Sequence, residues 1–171
     1  GMLFVAAAGN GNFLSQVFGR GNDNDLLPIY PAGLNADNLI AVAATDNTDR
    51  LATFSNFGAQ TVDVAAPGGN FDCATGIPVV PIDLVVSTFS PRAHIALGWG
   101  GDPYTSLALA ARTSLSAPFV SGTGALVEVA KGNSNPGFLS SHIKNTADDL
   151  GAPGTDPYYG KGRINAAAAV Q

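Results

Sequence analysis

The chain has 171 residues, the length of one domain, and its apolar fraction of 46% is enough to fill a sizeable core. Charged residues make up only 12% of it, about half of the roughly 25% that is usual in soluble proteins, so we expect a chain that buries much of its surface or meets a partner. The net charge of −5 and the scattered Lys and Arg residues argue against nucleic acid and anionic membrane surfaces as partners.

The N-terminus and the cysteine content say little about the cellular compartment. The single cysteine, Cys73, has no second cysteine in the chain to pair with. The apolar residues 3–8 are too few for a signal peptide and follow no basic residue, so we expect no export signal in this chain. No apolar run approaches the ~18 residues of a transmembrane helix. Gly1, before Met2, is interpreted as a cloning remnant, and residues 2–171 as one domain.

Three apolar runs predict strands of a parallel sheet. They cover residues 2–8, 38–46 and 62–68, and each ends in a turn that contains Gly, Asp or Pro. Runs without polar alternation are typical of strands buried on both faces. A fourth strand is expected at 84–88, and the polar or irregular segments 12–27, 69–76 and 90–105 are expected to be loops.

Residues 111–124 combine small residues with hydroxyl groups and predict the start of a closely packed helix. Thr113 and Ser114 suit an N-cap, and Pro118 suits the first helical turn. A hydroxyl at this end of a helix also lies in a field that favours developing negative charge. The pair is therefore either a simple cap or a place for a nucleophile. Further helices are predicted within 136–150, with His142 on a polar face, and over 166–171.

The sequence Thr-Ser-Leu-Ser-Ala-Pro-Phe-Val-Ser-Gly at 113–122 resembles the nucleophile segment of the subtilisin-like serine proteases, the subtilases. The usual form of that segment is Gly-Thr-Ser-Met-Ala-(Ala/Ser)-Pro-His-Val-(Ala/Ser)-Gly. The resemblance implies that Ser114 is the catalytic serine. Two residues depart from the family pattern: Arg112 replaces the Gly, which puts a bulky cation where the backbone usually passes closely, and Phe119 replaces the His.

The turn after the first strand also matches the family. Ala6-Ala7-Ala8-Gly9-Asn10 resembles its oxyanion-hole segment, in which Asn10 would donate its side-chain amide to the developing alkoxide. The resemblance implies that Ala7, Ala8 and Gly9 line one wall of the pocket for a substrate side chain. Without the resemblance, Asn10 is a turn residue that tolerates left-handed geometry.

Two further segments extend the match to nearly the whole chain. Residues 30–68 resemble the run Tyr-Pro-Ala…Asn-Ile-Ile-Ala-Val-Ala-Ala-Thr-Asp…Val-Asp-Val-Ala-Ala-Pro-Gly, and residues 159–166 the closing Tyr-Gly-x-Gly-x-Ile-Asn-Ala. The fold implied is α/β, the three-layer parallel-sheet subtilisin-like fold, incomplete at its N-terminal side. The Asp-Thr-Gly-like and His-Gly-Thr-His-like motifs that carry the family's catalytic Asp and His are not found.

A serine nucleophile needs a histidine base and an orienting Asp, so we expect this chain alone to be almost inactive. It is interpreted as a piece of a serine endopeptidase, a half-domain completed by an N-terminal chain, or a pseudo-protease that binds or assembles. A parallel α/β domain that holds an anion at the Ser114 helix is a weaker alternative. His94 is not expected to be the base, because the family takes its histidine from a segment ahead of Asn10.

Partners and cofactors follow from the same argument. Peptide or protein is the expected substrate of an active form. An unpaired sheet edge predicts self-association or pairing with the complementing chain. No cofactor is predicted with certainty. Calcium is possible, because Asp23, Asp25 and Asp37 lie in loops, although such aspartates are more often solvated turn residues. The family is often secreted, but the sequence leaves the location open.

Overall fold

The computed structural model describes residues 1–11, 20–71, 83–88 and 107–171. Within these ranges the chain forms five strands and three helices, in the order β1 (Phe4–Ala7), β2 (Leu39–Thr45), β3 (Val64–Pro67), β4 (Val85–Thr88), β5 (Leu107–Ala110), α1 (Thr113–Lys131), α2 (Pro136–Asn145) and α3 (Ala166–Val170). Their nature and order agree with the predicted α/β fold.

The first three strands form a parallel sheet in the order β1-β2-β3. Val5 pairs with Ile40, and Val42 pairs with Val64. Strand β2 is buried along its whole length, as its unbroken apolar sequence predicts. Strand β1 is not buried on both faces, and that prediction is wrong for it. Phe4 is 54% exposed, because it points to the face opposite Val5, and it is Val5 that packs against the main core.

Strands β4 and β5 form a separate antiparallel pair in which Val85 lies opposite Ala110. Strand β4 lies at its predicted place. Strand β5 was not predicted, since its four residues carry no turn signal and its partner lies about 20 residues earlier in the chain. The pair leaves the side chains of Val86, Leu107 and Leu109 exposed.

Helix α1 covers one face of the parallel sheet and forms the main core with it. Its residues Val120 and Val127 are fully buried against Ile40, Val42 and Val64. Leu139 and Ile143 of α2 close the same core. The small residues on α1 let it approach its neighbours closely, as the sequence indicates.

The start of α1 differs from the prediction. The N-cap residue is Arg112, which contributes no capping side chain, and Thr113 is the first residue of the helix. Pro118 lies in the second turn, so the prediction of a first-turn proline was wrong. Because proline lacks an N–H, the carbonyl of Ser114 has no helical donor four residues further on.

The two short helices are capped by asparagines. Asn135 Oδ1 accepts a hydrogen bond from Phe138 N, and Asn165 Oδ1 accepts one from Ala168 N. His142 is half-buried rather than on an open polar face, because its Nε2 lies 2.8 Å from the carbonyl oxygen of Ala169. In the described part of the chain, no helix is both long and apolar enough to cross a bilayer.

Candidate active site

Ser114 is the second residue of α1 and its side chain is exposed. Its position at the N-terminus means that its own N–H has no carbonyl partner one turn back inside the helix. The hydroxyl and this N–H therefore lie at the end of the helix where positive potential is greatest. A hydroxyl group and one backbone donor are thus presented at this helix end by a single residue.

Asn10 comes from the turn after β1 and meets the same helix end. Its Oδ1 lies 2.9 Å from the backbone N of Thr113 and 3.0 Å from Thr113 Oγ1. A backbone N–H can only donate, so the atom facing it must be the amide oxygen. This contact fixes the orientation of the amide and makes its Nδ2 the donor end. The structure therefore brings Asn10 into contact with Thr113, the residue next to Ser114 in the chain.

A buried pair of asparagines holds the turn that carries Asn10. Asn56 Oδ1 accepts hydrogen bonds from Gly11 N at 2.6 Å and from Asn22 N at 2.9 Å. Its Nδ2 donates to Asn24 Oδ1, and Asn24 Nδ2 donates to the carbonyl of Ala8. Sequence reasoning missed both residues as parts of the site. Asn24 lies in a segment rich in Asn, Gly and Asp that indicates only a loop, and Asn56 lies within the stretch 30–68 that resembles the family, a match that assigns it no chemical role.

The three residues predicted to line a substrate pocket lie in this turn. Ala7 is half-buried at the end of β1, and the side chain of Ala8 is fully buried against Ala43 and Ala65. Gly9 has φ +103°, and a Cβ there would stand 2.6 Å from Asn56 Nδ2, so this position requires glycine. Their role in substrate binding stays a prediction.

The unusual Arg112 fits the site without backbone strain. Its φ of −174° and ψ of 161° are extended values, and its N donates to the carbonyl of Gly68 at 3.0 Å. Its guanidinium carbon lies 4.5 Å from the ring centroid of Phe71 and 5.6 Å from that of Phe54. The family's Gly suggested a close backbone approach at position 112. In this structure the close approach is at Gly68, which packs against Ser116.

No base for Ser114 is found among the described residues. His142 is the only described histidine, and its Nε2 contacts the carbonyl of Ala169. His94 lies outside the described residues. Burial raises the pKa of Asp83, which accepts a hydrogen bond from Asn47 N. Asp83 lies two residues before β4, and within the described ranges it has no contact with Ser114.

The loop aspartates are the candidate metal ligands of the sequence. Asp25 accepts hydrogen bonds from the backbone of Gln60 and Thr61, and Asp23 accepts one from Asp25 N. These carboxylates hold loops together. Asp37 is exposed. Over the described ranges, no group of three or more His, Cys, Asp or Glu side chains is arranged to hold a metal ion.

Comparison with known proteins identifies the family. The model of the subtilase family matches residues 1–162, so the chain belongs to the subtilases. It is 35% identical to thermitase of Thermoactinomyces vulgaris over 156 residues, and this alignment covers 91% of this chain and 43% of thermitase. It is 33% identical over 171 residues to subtilisin Savinase of Lederbergia lenta, which covers all of this chain and 47% of that protein.

Solved structures agree with this assignment. The crystal structure of a lanthipeptide protease matches with a TM-score of 0.71 and 26% identity, over 98% of this chain and 50% of that protein. A protease of Pseudoalteromonas arctica matches with a TM-score of 0.65 and 28% identity, over 98% of this chain and 42% of that one. The subtilisin-like α/β fold is thus confirmed. The chain spans about half the length of the relatives it matches.

Proposed function

We propose that this chain supplies the nucleophile and the oxyanion hole of a subtilisin-like serine endopeptidase. The observation that supports this best is the pair of contacts from Asn10 Oδ1 to Thr113, since they set a side-chain amide donor beside the helix end that carries Ser114. A simple helix cap would need only the oxygen of this side chain. The family's hydrolytic chemistry also uses the nitrogen.

The proposed reaction is acyl transfer from a peptide bond. Ser114 Oγ attacks the scissile carbonyl carbon while its proton passes to a histidine base, and the carbonyl oxygen becomes an oxyanion that Asn10 Nδ2 and Ser114 N–H stabilise. Collapse of the intermediate breaks the C–N bond as the imidazolium gives the proton to the leaving amine. Water, deprotonated by the same base, then attacks the acyl group and releases Ser114.

We infer that the base and its orienting Asp come from a polypeptide segment with the family's Asp and His motifs, either in a longer form of this chain or in a partner chain. An open sheet edge and an apolar surface support such a complementing segment. In the described sheet, β3 is flanked on its outer side by residues 162–164, whereas β1 pairs only with β2. Phe119 and Leu126 of α1, together with Val86, line an exposed groove of about 420 Å³. A strand paired with this edge would satisfy the unpaired backbone groups of β1, and a surface that covers the groove would bury its exposed apolar side chains.

Labelling with a fluorophosphonate probe tests the proposal. We expect the 171-residue chain alone to remain unlabelled, and to become labelled when co-expressed with the polypeptide of the same genome that carries the Asp and His motifs. Labelling should vanish in Ser114→Ala and persist in Ser121→Ala, an exposed serine on the same helix.

Two results would contradict the proposal. Labelling that survives in Ser114→Ala would place the nucleophile elsewhere. A folded complex that stays unlabelled would show that the site is inactive and that the chain serves binding or assembly instead. If the chain alone is labelled and the labelling depends on Ser114, then Ser114 is the nucleophile and no partner is needed. Loss of labelling in His94→Ala would then identify His94 as the base.

A further inference from the structure

We propose that Arg112 is a specificity-determining residue that selects peptides with an acidic side chain close to the scissile bond. The inference rests on the proposed function, because it requires a peptide in the cleft beside Ser114. The family's usual residue at this position is glycine, which has no side chain. The positive charge is therefore a property of this chain and not of the family.

The guanidinium is held on an aromatic platform. Its carbon lies 4.5 Å from the centroid of Phe71 and 5.6 Å from that of Phe54, and the two rings stack with their centroids 5.0 Å apart. A cation within about 6 Å of a ring face is attracted by the ring quadrupole. Phe54 is fully buried against Ala44 and Ala52, so the platform is anchored in the core. The charge is thus restrained near the site before a ligand arrives.

The donors of this guanidinium remain available to a ligand. Arg50 and Arg163 each form ion pairs with aspartates, whereas no Asp or Glu in the described parts of the chain pairs with Arg112. Stacking uses the flat face of a guanidinium and leaves its N–H groups at the edge. Those groups match a carboxylate in a bidentate arrangement. Because Arg112 is exposed, this carboxylate can come from a bound peptide.

Arg112 is close enough to the nucleophile to contact a neighbouring substrate residue. Two residues of extended chain span at most about 7 Å, which bounds the Cα separation of Arg112 and Ser114. A bound extended peptide advances by about 3.3–3.4 Å per residue, so three residues cover about 10 Å, and a side chain within three residues of the scissile bond comes within reach of the long Arg112 side chain. The net charge of −5 repels acidic peptides only weakly at a distance, because the Debye length is about 8 Å at physiological ionic strength.

Peptide titration of the assembled protein, with Ser114→Ala in this chain, tests this inference without any chemistry. The probes are blocked alanine-leucine peptides with one Glu, placed in turn at each of three positions on either side of the central bond, and matched Gln peptides. Affinity and the NMR resonance of the Arg112 Nε–H are followed together. For at least one position we expect the Glu peptide to bind about 10-fold more tightly than its Gln partner and to shift that resonance.

Three variants separate the charge of Arg112 from its geometry. Arg112→Gln should abolish the preference for Glu, and Arg112→Lys should keep only part of it, since Lys lacks the planar fork. Lys131→Gln removes the same charge from the other end of α1 and should leave the preference unchanged. Equal binding of every Glu and Gln pair, binding of none of the peptides, or a preference that survives in Arg112→Gln would overturn the inference.

The labelling experiment judges the proposed function separately. If the assembled protein stays unlabelled at Ser114 but its preference for Glu is lost in Arg112→Gln, the proposed hydrolysis is wrong and the binding of acidic side chains by Arg112 is supported. If Ser114 is labelled but no peptide with Glu is preferred, the proposed hydrolysis is supported and the role of Arg112 is wrong.

Discussion

At the scale of single residues, the side chain of Asn10 links the two parts of the site. The N-cap residue of α1 contributes no capping side chain, and Asn10 Oδ1 instead accepts from the first amide of the helix. The position of the proposed oxyanion donor is therefore tied to the helix that carries Ser114. A shift of the turn relative to the helix would break the hydrogen bonds to Thr113.

Two substitutions of Asn10 distinguish capping from oxyanion stabilisation. Asn10→Asp keeps an acceptor for Thr113 and adds negative charge at a helix N-terminus, which is favourable. Asn10→Ala leaves the Thr113 N–H without its acceptor, and we expect it to lower the free energy of unfolding by about 1–3 kcal/mol more than Asn10→Asp does. Urea unfolding measures the difference. In the assembled protein both variants should lose about 10²–10³-fold in kcat, since neither has the donor.

Equal stability of the two variants would show that the contact with Thr113 does not stabilise the helix. Full activity of Asn10→Asp would exclude Asn10 as the oxyanion donor.

The sequence revealed the residues that carry chemistry but not those that hold them. Ser114 and Asn10 were found through a family pattern, and the structure places Asn10 against Thr113, the neighbour of Ser114. Asn56 was not found, because the three hydrogen bonds of its side chain reach residues 32 to 45 positions away in the chain. Such long-range partners leave no local periodicity. The aromatic platform of Arg112 escaped prediction for the same reason.

At the scale of elements, the contact between the end of β3 and the start of α1 sets the geometry of the site. Gly68 lies at this crossing, where an added Cβ would stand 2.4 Å from Ser116 Oγ and 2.6 Å from Ala44 Cβ. The carbonyl of Gly68 accepts from Arg112 N, so the same residue also fixes where the helix begins. The parallel strands and the helices were predictable because apolar runs are local signals, whereas the cap of α1 was placed wrongly. Strand β5 was not predictable, since its pairing with β4 is distant in the chain.

Two glycine substitutions test this close packing. Gly68→Ala should lower the free energy of unfolding by about 1–3 kcal/mol, because the methyl group overpacks a rigid crossing. Gly122→Ala is the matched control, since a Cβ there meets no atom within 4 Å and alanine is favoured in a helix. It should raise stability by up to about 1 kcal/mol. Thermal or urea unfolding compares the two, and a neutral Gly68→Ala would refute the tight crossing.

At the scale of the whole molecule, an ion-pair cluster joins the closing segment to the loop after β2. Arg163 contacts Asp49 at 2.6 Å and Asp148 at 2.7 Å, and Asn165 Nδ2 donates to Asp148. The hydrogen bonds from Asn165 and Arg163 lower the pKa of Asp148 below its usual value. A carboxyl group whose pKa is lower in the folded state stabilises the fold above its unfolded pKa of about 3.9, and this contribution is lost as the pH falls through the folded pKa.

Asp148→Asn should therefore destabilise the protein at pH 7, and the difference from wild type should shrink as the pH falls below about 3.9. The effect at pH 7 is expected to be modest, because the ion pair is partly exposed and screened by solvent. Asp149→Asn, at the exposed neighbouring position, is the control and should change little. Unfolding by urea at several pH values measures both. A difference between wild type and Asp148→Asn that stays constant down to pH 2 would contradict this account.

The apolar surface of the described residues predicts how the isolated chain behaves. Phe119 is 44% exposed and Leu126 is 55% exposed beside Val86, and the outer edge of β1 has no strand partner in the described sheet. Burying this surface is favourable at about 25 cal/mol per Å², so the isolated chain should self-associate at micromolar concentration. Analytical ultracentrifugation measures this.

Charge placed in the groove should oppose that association. Phe119→Glu with Leu126→Glu is expected to shift the chain toward monomer, because a charge loses hydration when the groove is covered. Leu27→Glu, at an equally exposed leucine in a loop, is the control and should leave the association unchanged. If the association instead survives the groove variant, the β1 edge is the contact, and Val5→Pro should then weaken it by removing a backbone donor from the strand. A wild-type chain that is monomeric at this concentration would refute the predicted self-association altogether.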